Sequence, residues 1–504
     1  MPEERLFGGE ALLSVLPAAV AAAKARRYRK PERVYWYDPV AWLHDRVRFP
    51  EGESPTDYQE ECLTALGERR RASARGPHGL GKTAMSAWAL LWFVDTRDRA
   101  KTDWKAITTA GSWAQLRNFL WPEVHKWVRR TKGIRWADGR ELLQMSIKLE
   151  TGQAFAAASN RPELIEGAHA DQLLYVYDEA KSILPATFDA SEGAFSGAGP
   201  GTGRDAFAWA GSTPGAPSGR FSDIHHRKAG YEDWWAKHVT LQESIAAGRI
   251  SEAWVEQRAK QWGLTSAVYV NRVLGEFAVE DAQTVIPLSW LEAANERWLD
   301  LAGGYAPFVN VGVDVARFGD DRTALAERFG DAIARIGVSA KEETTQTTGR
   351  VKAILTRHGK RGEAVVDVIG LGAGVVDQLR EQGFRVVAFN AATKSAHTDR
   401  SGELGFVNRR SAAWWNLRES LDPSFDPVIA LPPDDDLTGD LTAPLWRLTS
   451  GARIAVEGKD DIRKRLGRST DHGDAVIMAF ALPEAEDYEG TIWYDEPVDI
   501  GQGY

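Results

Sequence analysis

The sequence predicts an α/β protein built from two successive domains, and three observations support this fold class. The first is a glycine-rich loop at residues 76–83 that leads into a segment of helix-forming composition. The second is the alternation of apolar strands and helical segments after this loop, which is typical of a largely parallel sheet. The third is a new series of apolar strands that starts near residue 308.

The breaks between these patterns divide the chain into five parts. They are an N-terminal helical and basic arm at 1–39, a first α/β domain at 40–281, a linker at 282–305, a second α/β domain at 306–485 and an acidic C-terminal tail at 486–504. The arm contains a basic tract at residues 24–30. This tract either contacts nucleic acid or a protein partner, or is simply a solvated helix end.

The composition is that of an ordinary globular protein, and it excludes several classes. Of the 504 residues, 43% are hydrophobic and 26% are charged, and no apolar run approaches the length of a membrane span. The single cysteine, Cys62, excludes an internal disulfide framework and a cysteine-based zinc site. A net charge of −9 argues against a surface coated in nucleic acid, but it is compatible with local basic patches beside acidic metal sites.

The glycine-rich loop matches G-x-x-x-x-G-K-[ST], the pattern of a phosphate-binding loop. Gly76, Gly79 and Gly81 allow the backbone to close around an anion and to turn its N–H groups inward. Lys82 would reach the β- and γ-phosphates of ATP, and the Thr83 hydroxyl would bind Mg²⁺. The N-terminus of the following helix would point at the phosphates. The alternative is a chance match to the pattern.

Two features upstream of the loop bear on this prediction. Residues 71–75 should form the strand that enters the loop, yet they are poor in the β-branched side chains of a buried strand. Gln59 opens an earlier helix and can offer both a donor and an acceptor to the edge of an adenine base. The alternative for Gln59 is a helix-capping or solvated glutamine.

Two later strands end in residues that suit ATP hydrolysis. The buried strand before Asp178 and Glu179 ends in two adjacent carboxylates; the first would complete the Mg²⁺ shell and the second would activate the attacking water. The next strand ends at Ser212 and Thr213, whose hydroxyl groups would sense the γ-phosphate and relay its loss. The alternative for this second strand end is a simple Gly-Pro turn.

Carboxylates in the second half lie at the ends or edges of apolar elements. Asp314 ends one strand, Asp367 lies in another, and Asp471 and Asp474 precede an apolar helix. Two Mg²⁺ or Mn²⁺ ions bound by such carboxylates would hold the attacking and leaving oxygens of a phosphodiester. The alternatives are a strand-end cap for Asp314 and helix N-caps for Asp471 or Asp474. The acidic run at 434–436 is better explained as a solvated loop.

An ATP-binding half followed by a carboxylate-based half resembles the large terminase subunit of tailed bacteriophages. The resemblance covers roughly residues 40–485, and it rests on short motifs. These are residues 76–83, Tyr177-Asp178-Glu179-Ala180, Gly211-Ser212-Thr213-Pro214, Gly312-Val313-Asp314-Val315-Ala316, Val366-Asp367 and Asp471-His472-Gly473-Asp474-Ala475. The resemblance implies an ASCE-type P-loop ATPase domain followed by an RNase H-like nuclease domain.

The resemblance also implies residue roles. Gln59 would contact adenine, Ser212 and Thr213 would couple hydrolysis to DNA movement, and the nuclease metals would be bound by Asp314, Asp367 and Asp474, with Asp471 as neighbour or substitute. Many family members carry an arginine inside the phosphate loop where this chain has His78. The candidates for the arginine that completes the ATPase site are Arg75, Arg129, Arg130 and Arg161, and in a ring this arginine is also expected from a neighbouring subunit.

As a family member, the chain would use ATP and Mg²⁺ to translocate double-stranded DNA into a procapsid, and Mg²⁺ or Mn²⁺ to cut concatemeric DNA. Its implied partners are DNA, the portal protein, a small terminase subunit and further copies of itself in a ring, taken as a pentamer. It would act in the host cytoplasm and be absent from the mature virion. Two alternatives stay open: a helicase-like repair or defence ATPase with a fused nuclease, and a nucleotide-dependent assembly factor with an inactive second domain.

Overall fold

A computed structural model describes residues 35–134, 140–159, 162–199, 202–279, 281–316, 322–359, 362–484 and 487. The chain divides into two compact units. The first extends to Trp254 and also includes Val270–Ala278, and the second comprises Val255–Tyr269 and the chain from Val279 onward. Within the residues that the structure describes, no helix is both long enough and apolar enough to cross a membrane. The predicted basic tract at 24–30 and the acidic tail lie outside the described residues, apart from Asp487.

The first unit is built on an eight-stranded sheet in the order β3-β4-β5-β2-β6-β7-β1-β8. From β5 to β8 in this order all neighbours run parallel, and β3 and β4 form an antiparallel edge. The strands are β1 (Arg71–Arg75), β2 (Trp104–Ala110), β3 (Leu142–Leu143), β4 (Ser146–Lys148), β5 (Gly152–Ala158), β6 (Gln172–Asp178), β7 (Asp205–Ser212) and β8 (Trp235–His238). Strand β7 lies between β1 and β6, and an additional strand at this place is the feature after which the ASCE type is named.

Strand β1 forms despite its unfavourable composition. It pairs with β7 on one side and β8 on the other, and its first four residues are buried. Pairing on both sides therefore outweighs the weak strand propensity of its small side chains.

Helices cover this sheet, and the one that follows the glycine-rich loop is its central support. Lys82–Arg99 is buried along nearly its whole length, and its middle part at 87–94 is entirely apolar, as expected of a buried helix. The other helices of the unit are Pro39–Arg46, Asp57–Arg69, Trp113–Gln115, Trp121–Arg130, Pro162–Glu166, Pro185–Ser196, Gly219–His225 and Leu241–Ala246, with π-helical turns at Leu116–Leu120 and Val270–Leu274 and a 3₁₀ turn at Ala180–Ser182. Helix Glu252–Trp262 runs from the first unit into the second.

The second unit contains a five-stranded sheet in the order β11-β10-β9-β12-β13. Strand β10 is antiparallel to both of its neighbours, β11 and β9, and the last two strands run parallel to β9, which is the RNase H-like arrangement. The strands are β9 (Phe308–Asp314), β10 (Arg322–Phe329), β11 (Ala332–Ala340), β12 (Glu363–Asp367) and β13 (Val386–Phe389), and a small separate sheet contains β14 (Gly405–Phe406), β15 (Trp446–Leu448) and β16 (Arg453–Val456). The predicted fold class is thus confirmed.

A buried helix, Asp471–Ala479, lies directly on this sheet. A side chain at Gly312 of β9 would meet the Ala475 carbonyl at 2.1 Å, so only glycine permits this close approach. The remaining helices are Ala267–Tyr269, Leu288–Leu301, Thr344–Arg357, Gly372–Glu381, Arg409–Leu421, Asp435–Thr442 and Lys459–Leu466, with a 3₁₀ turn at Pro423–Phe425. This packing brings the first turn of Asp471–Ala479 to the carboxyl end of β9.

Candidate active sites

The glycine-rich loop joins β1 to the buried helix Lys82–Arg99. Gly79 and Gly81 have φ angles of +83° and +76°, a conformation that other residues rarely adopt. Gly81 is the N-cap of the helix, so the N–H groups of its first turn face the loop. The Lys82 ammonium donates to the Pro77 carbonyl at 2.7 Å, and burial lowers the pKa of Lys82 to about 8. The loop therefore has the backbone geometry of an anion-binding site, and the Lys82 ammonium bonds to the loop's own backbone.

The acidic pair lies beside this helix, at the end of β6. Asp178 is buried, and its carboxylate accepts a hydrogen bond of 2.9 Å from the Ser86 hydroxyl. Burial raises the pKa of Asp178 to about 7, and the neighbouring Glu179 carboxylate contributes to this rise. The Ser86 hydroxyl in turn accepts from the Trp209 indole at 3.1 Å. Sequence reasoning missed Ser86, although its position four residues after Lys82 places both on one helix face.

Glu179 adopts a left-handed conformation, with φ 47° and ψ 52°. Such a backbone costs a non-glycine residue about 1–3 kcal/mol and is typical of functional sites. The Ser212 hydroxyl lies 3.0 Å from the Glu179 carboxylate and 2.8 Å from the Thr213 carbonyl, and either oxygen can accept its hydrogen. The residue predicted to couple hydrolysis thus contacts the residue predicted to activate water. The neighbouring Thr213 hydroxyl is buried, and among the described residues it has no hydrogen-bond partner.

Gln59 lies against the loop but is fully buried. Its amide oxygen accepts from the Thr56 N–H at 2.9 Å, and its amide nitrogen donates to the Leu80 carbonyl at 3.0 Å. The Tyr58 hydroxyl donates to the same carbonyl at 3.1 Å. In this structure Gln59 caps its helix and supports the loop, whereas an adenine contact stays a prediction.

An open cavity of about 620 Å³ lies next to this support. Tyr58 and Arg249 are among its lining residues, together with residues 52–57 and 246–248. The Arg249 carbonyl also lies 3.9 Å from where a side chain at Gly79 would start. The cavity therefore borders the glycine-rich loop and is large enough for a nucleoside.

The predicted arginines occupy different environments. Arg75 forms an ion pair with Glu276 and donates to the Gly275 carbonyl at 2.6 Å. Arg130 lies over the Trp127 ring at 5.3 Å, and Arg129 is exposed. Arg161 lies outside the described residues.

The segment Val270–Ala278 packs against the glycine-rich loop, which sequence reasoning did not anticipate. The His78 N–H donates to the Arg272 carbonyl at 2.9 Å. Gly275 has a φ of +68°, and a side chain there would start 2.6 Å from the Gly76 Cα and 2.7 Å from the Pro77 ring. The Asn271 amide and the Ala278 N–H both donate to the Gly215 carbonyl, at 3.1 Å each, just after Ser212 and Thr213. This segment therefore connects the loop to the end of β7.

In the second unit, the four predicted carboxylates line one cavity of about 650 Å³. Asp314 ends β9 and Asp367 ends the adjacent parallel strand β12, so both lie at the same edge of the sheet. Asp471 and Asp474 come from the first turn of Asp471–Ala479. The fold thus brings together side chains that lie far apart in the sequence.

A lysine that sequence reasoning missed lies among these carboxylates. The Lys459 ammonium is 2.7 Å from Asp314, 3.2 Å from Asp471 and 3.6 Å from Asp474. Burial opposes its charge, but the carboxylates of Asp314, Asp474 and Asp471 raise the pKa of Lys459 well above its ordinary value. Burial likewise raises the pKa of Asp314 well above its ordinary value, although the ammonium opposes that shift. No sequence motif identifies this lysine, because only the fold brings it next to the carboxylates.

The carboxylates differ in their other partners. Asp367 accepts from the Ile369 N–H at 2.9 Å, and Asp471 accepts from the Arg322 N–H at 3.0 Å. Asp474 has the most donors. They are the Thr470 hydroxyl at 2.8 Å, the Arg410 guanidinium at 3.2 Å and the Trp414 indole at 3.3 Å.

The donor set suits a hard divalent cation, because carboxylate oxygens are the ligands that Mg²⁺ and Mn²⁺ prefer. Among the described residues, however, no group of three or more His, Cys, Asp or Glu side chains is already arranged to hold a metal ion. The Lys459 ammonium supplies positive charge next to Asp314 and Asp471. The residues therefore fit a divalent cation by charge and by the chemistry of their oxygen ligands.

Comparisons with known proteins find large terminase subunits. A probable terminase large subunit of Enterobacteria phage P7 is 26% identical over 485 residues, which cover 90% of this chain and 92% of that protein. Among solved structures, the large terminase of a thermophilic bacteriophage covers 85% of this chain and 98% of its own, at 14% identity and a TM-score of 0.41. The nuclease domain of the large terminase subunit of bacterial virus Sf6 covers 40% of this chain and 100% of its own, at 20% identity and a TM-score of 0.34.

No family model matches the chain. The similarity to the phage P7 protein nevertheless extends over most of both units. The resemblance predicted from the sequence motifs is thereby confirmed: over most of its length this chain is similar to a probable large terminase subunit.

Proposed function

We propose that this chain is a viral DNA-packaging motor with two activities. The first unit hydrolyses ATP to move double-stranded DNA into a procapsid, and the second unit is a metal-dependent endonuclease that cuts concatemeric DNA when packaging starts and ends. The observation that supports the proposal is that one chain carries two separate groups of charged side chains whose chemistry suits phosphate binding and transfer. One is the loop with its acidic pair, and the other is the cavity lined by four carboxylates.

At the first site, each residue has a defined task. Bound Mg²⁺ would neutralise charge on the β- and γ-phosphates, and Thr83 and Asp178 are the residues that would hold it. Lys82 exchanges the Pro77 carbonyl for a phosphate oxygen. Glu179 accepts the proton of the attacking water, and Ser212 reports the change in Glu179 to the end of β7. The arginine that completes the site comes from a neighbouring subunit in a ring, for which the exposed Arg129 is suited.

The affinity for MgATP is expected to be highest between pH 7 and pH 8. Asp178, with a pKa of about 7, must lose its proton to bind the metal, and Lys82, with a pKa of about 8, must keep its proton to bind phosphate. Below pH 7 the affinity should fall by up to about tenfold per pH unit. Titration calorimetry from pH 5.5 to 9 measures how the affinity falls on the acidic side and on the basic side of this range. Asp178→Asn should abolish the acidic fall and keep the basic one.

The same shift affects folding stability with a defined sign. Because the folded-state pKa of Asp178 is raised from 3.8 to about 7, the folded state binds more protons than the unfolded state in this interval. Its contribution to stability is therefore lost as the pH rises from 4 to 7. In Asp178→Asn, the free energy of unfolding should depend less on pH over this range. If the MgATP affinity of Asp178→Asn still falls below pH 7, Asp178 is not the group that causes this fall.

Gly275→Ala is expected to damage the phosphate loop specifically. The left-handed conformation costs alanine about 1–2 kcal/mol, and its side chain would also overlap Gly76 and Pro77. The loop must then shift, and we expect at least about a tenfold loss of MgATP affinity, which corresponds to about 1.4 kcal/mol. Gly230→Ala is the matched control, because Gly230 has a φ of +92° and nothing within 4 Å of the added atom. Equal losses of affinity in both variants would rule out a role for the contact with the loop.

At the second site, Asp314, Asp367 and Asp474 would hold two Mg²⁺ or Mn²⁺ ions, with Asp471 beside them. Bound metal would activate water and stabilise the leaving oxygen of a phosphodiester. The residues of the chain contribute orientation: Thr470, Arg410 and Trp414 fix both oxygens of Asp474. Lys459 keeps the carboxylates together before metal enters.

The proposed partners are double-stranded DNA, the portal protein of the procapsid, a small terminase subunit and further copies of this chain. The direct test is a packaging assay with procapsids, in which the full chain should protect added DNA from external nuclease only when ATP is present. The same preparation should cut plasmid DNA in Mn²⁺ or Mg²⁺. Cutting without any ATP-dependent protection in the presence of procapsids would favour the stand-alone repair or defence enzyme instead.

A further inference from the structure

The helix that carries Asp471 and Asp474 has an unusual N-terminus. The first N–H groups of a helix have no partner within the helix, and the side chain of the N-cap residue normally accepts one of them. Here the N-cap is Thr470, which is fully buried, but its hydroxyl makes no capping hydrogen bond. Its φ of −107° and ψ of 48° also lie outside the extended conformation usual for a capping residue. The Thr470 hydroxyl donates instead to Asp474, at 2.8 Å.

A carboxylate from another helix supplies the missing cap. Asp440, on Asp435–Thr442, is only 1% exposed. One of its oxygens accepts from the His472 N–H at 2.9 Å and from the Gly473 N–H at 3.2 Å. These are the second and third residues of the helix, whose N–H groups an N-cap side chain would otherwise accept.

The surroundings of Asp440 are built for this contact. Its other oxygen accepts from Arg468, which also donates to the Gln261 carbonyl at 2.6 Å and to the Ser469 carbonyl at 2.9 Å. A side chain at Gly473 would start 3.1 Å from the Asp440 Cβ and 3.1 Å from the Trp414 ring. Glycine at this position therefore lets Asp440 and the indole that binds Asp474 both approach the helix.

We infer that Asp440 is a positioning residue for the nuclease site. By capping the helix from outside, it leaves the Thr470 hydroxyl to orient Asp474. If Asp440 is removed, two buried N–H groups lose their acceptor, and the nearest replacement is the Thr470 oxygen. The hydroxyl then turns to the backbone and Asp474 loses its shortest hydrogen bond. This inference rests on the proposed metal-binding role of Asp474.

The test uses Mn²⁺ affinity of the full chain, measured by calorimetry without DNA or nucleotide, with Asp367→Ala identifying the heat that belongs to the nuclease site. Partners that orient a metal ligand typically contribute about 10- to 100-fold in affinity. We therefore expect Thr470→Val and Asp440→Ala each to weaken Mn²⁺ binding by about 10- to 100-fold. The double variant should bind Mn²⁺ with about the same affinity as the single variants, because both changes remove the same hydrogen bond to Asp474.

Matched controls separate positioning from general stability. Thr438→Val removes a buried hydroxyl that donates only to the Asp434 carbonyl, and Asp434→Asn alters a cap on a helix that carries no metal ligand. Both should leave Mn²⁺ affinity within about twofold, even where the melting temperature falls, since the Thr438 hydroxyl and the Asp434 carboxylate bond to their own helix and not to the first turn of Asp471–Ala479. Asp440→Asn keeps an acceptor oxygen and should recover most of the affinity while losing its ion pair with Arg468. If Asp440→Ala fails to fold, the Mn²⁺ affinity of Asp440→Asn is compared with that of Thr470→Val instead.

The outcomes are distinct. Additive losses in the double variant, or unchanged Mn²⁺ affinity in Asp440→Ala and Thr470→Val, would overturn the positioning role while leaving the nuclease proposal intact. Wild-type protein that shows no Mn²⁺ binding dependent on Asp367 would overturn the nuclease proposal and the inference with it.

Discussion

Replacing Glu179 with glutamine is expected to reduce ATP hydrolysis by about 10²- to 10⁴-fold, the usual contribution of a positioned general base. Glutamine has nearly the same shape and can still accept the hydrogen bond from Ser212, but it cannot take a proton from water. Nucleotide binding should be retained, because Lys82 and the loop are unchanged. A phosphate-release assay measures the rate, and calorimetry with MgATP measures the binding.

The same variant tests the coupling of hydrolysis to movement. Glu166→Gln, at an exposed position of the same unit, is the control and should hydrolyse ATP at the normal rate. If Glu179→Gln still translocated DNA at the normal rate, Glu179 would not be the base and the proposed motor mechanism would be wrong. A loss of MgATP affinity equal to the loss of rate would instead indicate a damaged loop.

Asp367→Ala is expected to lower metal-dependent DNA cleavage by at least about 10²-fold, since removing a ligand costs more than removing a group that merely orients one. Asp367 ends β12 beside β9, and burial raises the pKa of its carboxyl, so its ionised form is costly unless a cation is bound. Hydrolysis of ATP should continue at the normal rate because the acidic pair of the first unit is untouched. Cleavage of supercoiled plasmid in Mn²⁺ and in Mg²⁺ measures the effect.

Asp377→Ala provides the matched control on the exposed face of helix Gly372–Glu381, and it should cut plasmid like the wild-type chain. Cleavage that persists in Asp367→Ala would exclude Asp367 as a metal ligand. If the wild-type chain cuts in neither metal while hydrolysing ATP, the second unit is not a nuclease. The nucleotide-dependent assembly factor would then be the better explanation.

Much of the first site was predictable because the residues that carry its chemistry are adjacent in the sequence. The loop at residues 76–83 follows β1 directly, and the pair Asp178 and Glu179 lies at the end of β6, so each motif and its place at the sheet edge are set locally. Ser86 escaped notice because a serine in a helix has no distinctive pattern. Residues 71–75 looked unlike a strand, because propensity omits the pairing that β7 and β8 supply.

The sequence by itself determined which residue types carry the chemistry: the phosphate-loop lysine, the acidic pair and the carboxylates of the second half. Only the tertiary structure decided how they are supported and balanced. Gly275 against the phosphate loop, Lys459 among the carboxylates and Asp440 on a neighbouring helix act over long separations in sequence. The reason is physical: a hydrogen bond or an ion pair depends on distances of a few ångströms, and packing of the whole chain sets those distances.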